Sequence, residues 1–238
     1  MRRALTALLL LSLTGVPAQA RAQAPSAGAY HASGWDVASV VGGSALYFVP
    51  ALLDLPDTAG ACAPCDPATL PGIDRGAVRS VSSGADLASG IVLLAVGAGT
   101  AYAGLHGMSG DELRGNFAVL ANTAVWTATS VEWLKVLVRR ERPVMYTADA
   151  PAALADKDNL QSFPSGHTAL AFAAATSYLV IAERQKLPHR ERNAFLLYGG
   201  AALVGTLRVV AGKHFPTDVL AGAALGSGMG WLVPTIHH

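Results

Sequence analysis

The sequence predicts an all-α protein, a bundle of five or six apolar helices that cross a membrane and carry an active site at one end. Three observations predict it. The composition is 52% hydrophobic and only 14% charged, against about 25% charged in an ordinary soluble domain. The apolar residues gather in runs and do not alternate as a half-buried strand would. Those runs are rich in Ala, Leu and Gly, which suits helices packed closely in lipid. With 238 residues the chain is long enough for one well-buried domain. Its net charge of +1 supplies no global field, which excludes nucleic acid as a partner on composition.

The elements follow in order. Arg2 and Arg3, the apolar run Ala4 to Val16 and the small residues Ala18-Gln19-Ala20 read as an export leader over 1–20, with a second cleavage candidate at Ala24 ahead of Pro25. Residues 21–34 are small and polar and are expected to be loosely ordered. The domain proper is expected over 35–238. Its apolar runs are Val37 to Leu53, Leu87 to Leu105, Gly115 to Val138, Thr168 to Ala182, Asn193 to Leu207 and Val219 to Ile236. Several approach the roughly 20 residues that a crossing needs. A compact soluble bundle also accommodates the shorter, Gly-rich runs.

Cys62 and Cys65 are the only cysteines. They lie in a Pro- and Asp-rich loop, without a strand-to-helix setting and without a second pair to complete a zinc site. A local structural disulfide in an oxidising compartment is the expectation, with no metal site.

Three clusters carry chemistry. In Lys135-Val-Leu-Val-Arg139-Arg140-Glu141-Arg142-Pro143, Lys135 and Arg142 stand two helical turns apart and can share a face, while Pro143 marks a helix end. In Ser162-Phe163-Pro164-Ser165-Gly166-His167-Thr168, Ser165 is placed to cap a helix that opens at Gly166. Such a start leaves backbone N–H groups for an anion, with His167 in reach. In Arg208-Val-Val-Ala-Gly-Lys-His214-Phe-Pro-Thr-Asp218, Pro216 breaks one helix and the next can fold Asp218 back onto His214. Each cluster alone has a bland reading: a basic helix flank, a capped helix, a structural His–Asp pair. Together they place scarce charge at the ends of the third and fifth runs and the starts of the fourth and sixth. In an up-down bundle those ends meet on one face.

The ordered pattern Lys-x6-Arg-Pro, Pro-Ser-Gly-His and Arg-x5-His-x3-Asp resembles the signature of the type 2 phosphatidic acid phosphatase and vanadium haloperoxidase superfamily. The upstream Gly72-Ile73-Asp74-Arg75 loosely resembles some bacterial members. One departure is Leu207, where the family usually has Ser before the third-motif Arg.

The resemblance implies a phosphatase. His214 would attack phosphorus and Asp218 would orient it. Lys135, Arg142 and Arg208 would hold the phosphate oxygens, with Ser165 and the Gly166 amide adding hydrogen bonds. His167 would protonate the leaving alcohol and later activate water. No cofactor is implied. The implied substrates are lipid phosphates: phosphatidate, phosphatidylglycerophosphate or a polyprenyl pyrophosphate. The alternatives are a soluble periplasmic acid phosphatase and, less well matched in length and spacing, a vanadium haloperoxidase.

Orientation has two clues. The cysteine loop lies on the motif side, and Arg114, Arg184, Lys186, Arg190 and Arg192 lie in the opposite loops. Both are expected of an inner-membrane protein with a periplasm-facing site. A cleaved leader followed by six crossings would instead turn the motifs inward. Either the run broken by Pro50 does not cross, the leader is retained, or the bundle is soluble in the periplasm.

Overall fold

The computed structural model describes residues 28–57 and 60–237, so the expected leader lies outside the described residues. Helices dominate from the first element. α1 spans Gly34–Leu52, and a single-turn α2 spans Gly72–Arg75. The long α3, Ser83–Leu105, and α4, Gly110–Val138, follow. A second single turn, α5, is Ala150–Ala153. α6 (Gly166–Arg184), α7 (Arg190–Val210) and α8 (Pro216–Ile236) complete the set. No strand occurs among the described residues.

The expected helical bundle is therefore present, with six helices of 19 to 29 residues. Four of them, α1, α3, α7 and α8, are long and apolar enough to cross a membrane. Pro50 does not break the first apolar run. It falls in the last turn of α1, where few helical bonds remain to be lost. The outward faces of these helices are greasy: Trp35, Phe48, Leu94, Phe195 and Leu220 are all exposed.

α6 is the central element, packed against α3, α4, α7 and α8. Its small side chains make this possible. Ala169, Ala171, Ala173 and Ala175 are fully or almost fully buried, so the helix is surrounded on all sides. The closest partner is α8, which presents Gly222, Gly226 and Gly230 at four-residue spacing. A Cβ on Gly226 would stand 2.0 Å from the Ala169 carbonyl oxygen, and one on Gly222 would stand 2.5 Å from that of Ser165. Backbone therefore lies against backbone, as small-residue stripes allow. The contact fixes the starts of α6 and α8 side by side: Ser165 N–H donates to the Asp218 carbonyl at 3.0 Å.

The opposite end of the bundle is held by the segment ahead of α1. It is described from residue 28 on and is anchored there by Tyr30. Tyr30 is fully buried beside Val119 and Ile181, with the Arg184 guanidinium 4.3 Å above its ring. Residue 34 and the motif-bearing turns thus lie at opposite ends of α1.

Gly226→Ala should destabilise the protein by about 1–3 kcal/mol, the usual cost of forcing volume into a packed interior. Thermal unfolding in detergent checks this, and Gly228→Ala, where a Cβ meets open space, should leave the midpoint unchanged.

Candidate active site

Local sequence sets each turn of the motif end. α4 stops at Val138 because Arg139 takes a left-handed conformation, with φ of 52°. The chain then runs extended to Arg142 and into a 3-10 turn over Pro143–Tyr146. Lys135 and Arg142 therefore do not share a helix face as their spacing suggests. Pro143 keeps the residue before it out of the helical region, and Arg142 reaches the site from a loop. That loop is pinned by Arg142 N–H to the Asn159 carbonyl, 2.7 Å, and by Ser162 N–H to the Arg140 carbonyl, 2.8 Å. The expected disulfide is present between Cys62 and Cys65. Cys65 packs with Val144, Met145 and Leu160 under the same loop.

α6 opens at Gly166 with Ser165 at its N-cap, as the sequence predicts. Its first intrahelical bond runs from Ala169 N–H to the Ser165 carbonyl. The Ser165 hydroxyl does not cap a backbone amide. It is buried and lies 2.9 Å from the Thr168 hydroxyl. α8 opens with Pro216 in its first turn, where a missing N–H costs nothing.

His214 lies in the turn between α7 and α8 and is almost fully buried. Its Nδ1 stands 2.6 Å from the Ser162 carbonyl oxygen. A carbonyl only accepts, so Nδ1 carries the proton and Nε2 is the nitrogen with a free lone pair. Asp218 folds back onto the ring as the sequence suggests, with Oδ2 3.8 Å from Nδ1, within ion-pair range but longer than a hydrogen bond. The carboxylate instead accepts from the Ser162 hydroxyl at 2.6 Å and from Phe215 N–H at 2.8 Å. It acts on His214 by fixing the backbone on both sides of the ring.

Arg140 completes this network and was not singled out from the sequence. One Nη donates to Asp218 and the other donates to Asp74 at 2.8 Å. Asp74 also accepts from Thr217, through its N–H at 3.1 Å and its hydroxyl at 2.6 Å. Burial would raise the Asp74 carboxyl, but the hydrogen bonds from Thr217 and Arg140 outweigh it and hold it below its ordinary value. Burial likewise pulls Arg140 down, and the two carboxylates together raise it.

The cationic side is built from three elements. Arg142 and Arg208 are buried, and the Nε of each has no hydrogen-bond partner among the described residues. Arg208 donates through Nη1 to Asp86 and, at 3.0 Å, to Ser89, both on α3. Leu207 brings no hydroxyl to this arginine; Ser89 does. Lys135 lies 3.4 Å from Glu132, one turn back on α4. His167 is within electrostatic reach of Arg208, Asp86, Lys135 and Arg142. Burial lowers Arg142, yet a guanidinium remains a cation.

The structure thus brings Lys135, Arg142, His167, Arg208, His214 and Asp218 to one end of the bundle, with Gly166 and Ser165 beside them. Sequence reasoning missed Asp86, Ser89, Arg140 and Thr217, and noted Asp74 only within the Gly72–Arg75 resemblance, without a role. Arg140 sits in a run of three arginines between 139 and 142, and nothing in that run marks the one that turns inward.

Fold and site together define a helical bundle with two histidines, basic side chains and buried carboxylates gathered at one end. The model of the PAP2 superfamily matches residues 116–238, more than half of the chain. The chain belongs to the PAP2 superfamily. It is similar to a lipid A 1-phosphatase of Rhizobium johnstonii, 30% identical over 46% of this chain and 43% of that protein. A lipid A 1-phosphatase of Rhizobium etli is 30% identical over 48% of this chain and 46% of its own length. One of Porphyromonas gingivalis is 40% identical over 27% of this chain and 14% of that protein. The chain spans less than half the length of each of these relatives. The crystal structure of a transmembrane PAP2 type phosphatidylglycerolphosphate phosphatase from Bacillus subtilis aligns with a TM-score of 0.47. That alignment has 21% identity and covers 84% of this chain and 94% of that one.

Burial pushes the His214 imidazolium down to about 4, and the neighbouring Asp218 only partly opposes this. Below an unfolded value near 6.5 the unfolded chain takes up a proton that the native ring refuses. Native stability should therefore fall as pH drops from about 6.5 to about 4, by roughly 3 kcal/mol from this residue. Chemical unfolding at a series of pH values checks it: His214→Gln should flatten the slope in that window.

Proposed function

We propose that the protein is a membrane lipid phosphatase that hydrolyses a phosphomonoester or pyrophosphate through a phosphohistidine. The observation that carries this reading is the Nε2 lone pair of His214 beside two buried arginines whose Nε edges have no partner among the described residues. A phosphate is the ligand that such donors fit, because guanidinium groups match its oxygens in charge and geometry.

In the first step the Nε2 lone pair attacks phosphorus, and the bond from phosphorus to the lipid oxygen breaks. His167, at the start of α6, gives that oxygen a proton. In the second step His167 takes a proton from water, the water oxygen attacks phosphorus, and the nitrogen–phosphorus bond breaks. Inorganic phosphate leaves and His214 is restored. Arg142, Arg208 and Lys135 neutralise the equatorial oxygens, as cations do in other phosphoryl transfers. The Gly166 amide, ahead of the first intrahelical bond of α6, adds a donor. Asp218 and Arg140 hold the loops that aim His214.

The names of the similar proteins put the 1-phosphate of lipid A at the head of the substrate panel. Phosphatidate, phosphatidylglycerophosphate and a polyprenyl pyrophosphate follow. Phosphate release should be seen with lipid substrates and should fall at least about 1,000-fold in His214→Ala, the scale lost with an essential nucleophile. Substantial turnover by that variant would remove His214 as the nucleophile. Release from a soluble phosphomonoester alone would make the protein a nonspecific acid phosphatase.

We infer further that the protein sits in a bacterial inner membrane with the motif end facing the periplasm. The Cys62–Cys65 disulfide at that end suits an oxidising compartment. Arg114, Arg184, Lys186, Arg190 and Arg192 gather at the other end, as the positive-inside rule asks. In intact spheroplasts a membrane-impermeant maleimide should label a cysteine placed at Thr147 and spare one placed at Gly107. The reverse pattern would turn the site to the cytoplasm, and labelling of both would favour a soluble bundle.

A further inference from the structure

The arginines of the site are not bare. Arg208, 4% exposed, donates to Asp86, whose side chain is 36% exposed. The other oxygen of the same carboxylate lies 3.6 Å from Lys213. Arg142 repeats the arrangement at longer range, with Asp158 3.8 Å away and 65% exposed against 6% for the arginine side chain. In each pair the arginine is the buried member and the carboxylate the solvent-facing one. The same Asp86 is within electrostatic reach of His167. Meanwhile the Nε of both arginines is buried and has no hydrogen-bond partner among the described residues. Nothing in the phosphatase mechanism calls for carboxylates here, since they repel the substrate.

We propose that Asp86, assisted by Asp158, is a built-in competitor that covers the phosphate-binding arginines and is displaced when a phosphate enters. The proposal rests on the preceding reading only in taking Arg142 and Arg208 as the phosphate site. A carboxylate parked on a guanidinium leaves only a fraction of molecules ready to bind. The apparent affinity of every anion falls by that fraction. The effect is a threshold and not a change of preference. A phosphomonoester dianion brings about two charges to the arginines and still binds. A phosphodiester brings one, exchanging one single negative charge for another, and drops below useful affinity. A lipid phosphatase works among a large excess of phosphodiester headgroups, so this threshold keeps its site open. It also speeds the departure of product phosphate. Asp86 is suited to the task by its place in the first turn of α3, near the helix N-terminus. The attraction of that terminus for anions returns the carboxylate to one position.

The competing role is that Asp86 simply positions Arg208, and the two roles predict opposite signs. Calorimetric titration of the detergent-purified full chain at pH 8, with inorganic phosphate and with dimethyl phosphate as probes, separates them without turnover. Asp86→Asn should bind both anions about ten-fold more tightly than the wild type, the scale of removing one partly exposed charge. Asp158→Asn, at an exposed position that does not threaten folding, should tighten both by about two- to three-fold. With a lipid substrate, Asp86→Asn should lower KM in parallel while kcat does not rise. Weaker or unchanged phosphate binding in Asp86→Asn overturns the proposal and leaves Asp86 as a positioning residue. If that variant fails to fold, unchanged binding in Asp158→Asn overturns it. A wild type that binds no phosphate would overturn the site reading itself, and this inference with it.

Discussion

The structure of the active end depends on one buried carboxylate. Asp218 has no access to solvent, and its oxygens accept from Arg140, the Ser162 hydroxyl and the Phe215 amide. Those three donors belong to the three motifs of the sequence. A charge taken out of water is costly unless donors surround it, and a network of this kind is stable only when every member is present. The carboxylate therefore requires the loop after α4, the turn before α6 and the turn before α8 to close around it together. His214 inherits its position from that closure. Its partner is the Ser162 carbonyl, and Ser162 is held in turn by Asp218.

The packing below the site serves the same end. A glycine stripe on α8 brings its backbone against α6, and the two helix starts end up one hydrogen bond apart. Side chains of ordinary size at 222, 226 and 230 would push the helices apart and stretch the bonds that Asp218 collects. Precision in the site thus comes from elements with almost no side chains, and the cost is a stripe that tolerates little change. The greasy outer faces of α1, α3, α7 and α8 have no part in this geometry. They are free to vary with the surroundings of the bundle.

Much of this was legible in the sequence, for identifiable reasons. Long apolar runs with scarce charge gave the helices. The start of α6 at Gly166 and of α8 at Pro216 followed from capping and proline chemistry. The gathering of both histidines with Lys135, Arg142 and Arg208 followed from up-down connectivity. What failed was local and depended on tertiary context. Lys135 and Arg142 look like neighbours on a helix, but the left-handed turn at Arg139 ends the helix before Arg142 is reached. His214 and Asp218, four apart, look like a hydrogen-bonded pair. The capping bond from Phe215 and the hydroxyl of Ser162 claim the carboxylate first. Asp74 lies 66 residues before Arg140 and Asp86 lies 122 residues before Arg208, and nothing in the sequence links either acid to its arginine.

These misses share a direction. Sequence reasoning found the cations and histidines of the motif end and overlooked the groups that meet those groups. The first kind stand out because cations and histidines are rare in an apolar chain. The second kind are carboxylates and hydroxyls scattered through loops, where such residues are ordinary. Yet the geometry gives the second kind the decisive work. A site of buried arginines without Asp74, Asp86 and Asp218 would be a concentration of positive charge with no reason to stay closed when no substrate is bound. Like charges in a low-dielectric interior repel strongly, and each needs a nearby anion to remain buried. Two of the three acids meet that need permanently, locked in by Arg140 and Thr217. The third, Asp86, meets it from the solvent side of Arg208. Enclosed counter-charges on Arg140 and a solvent-facing one on Arg208 together let a cationic cluster stay buried at the end of the bundle.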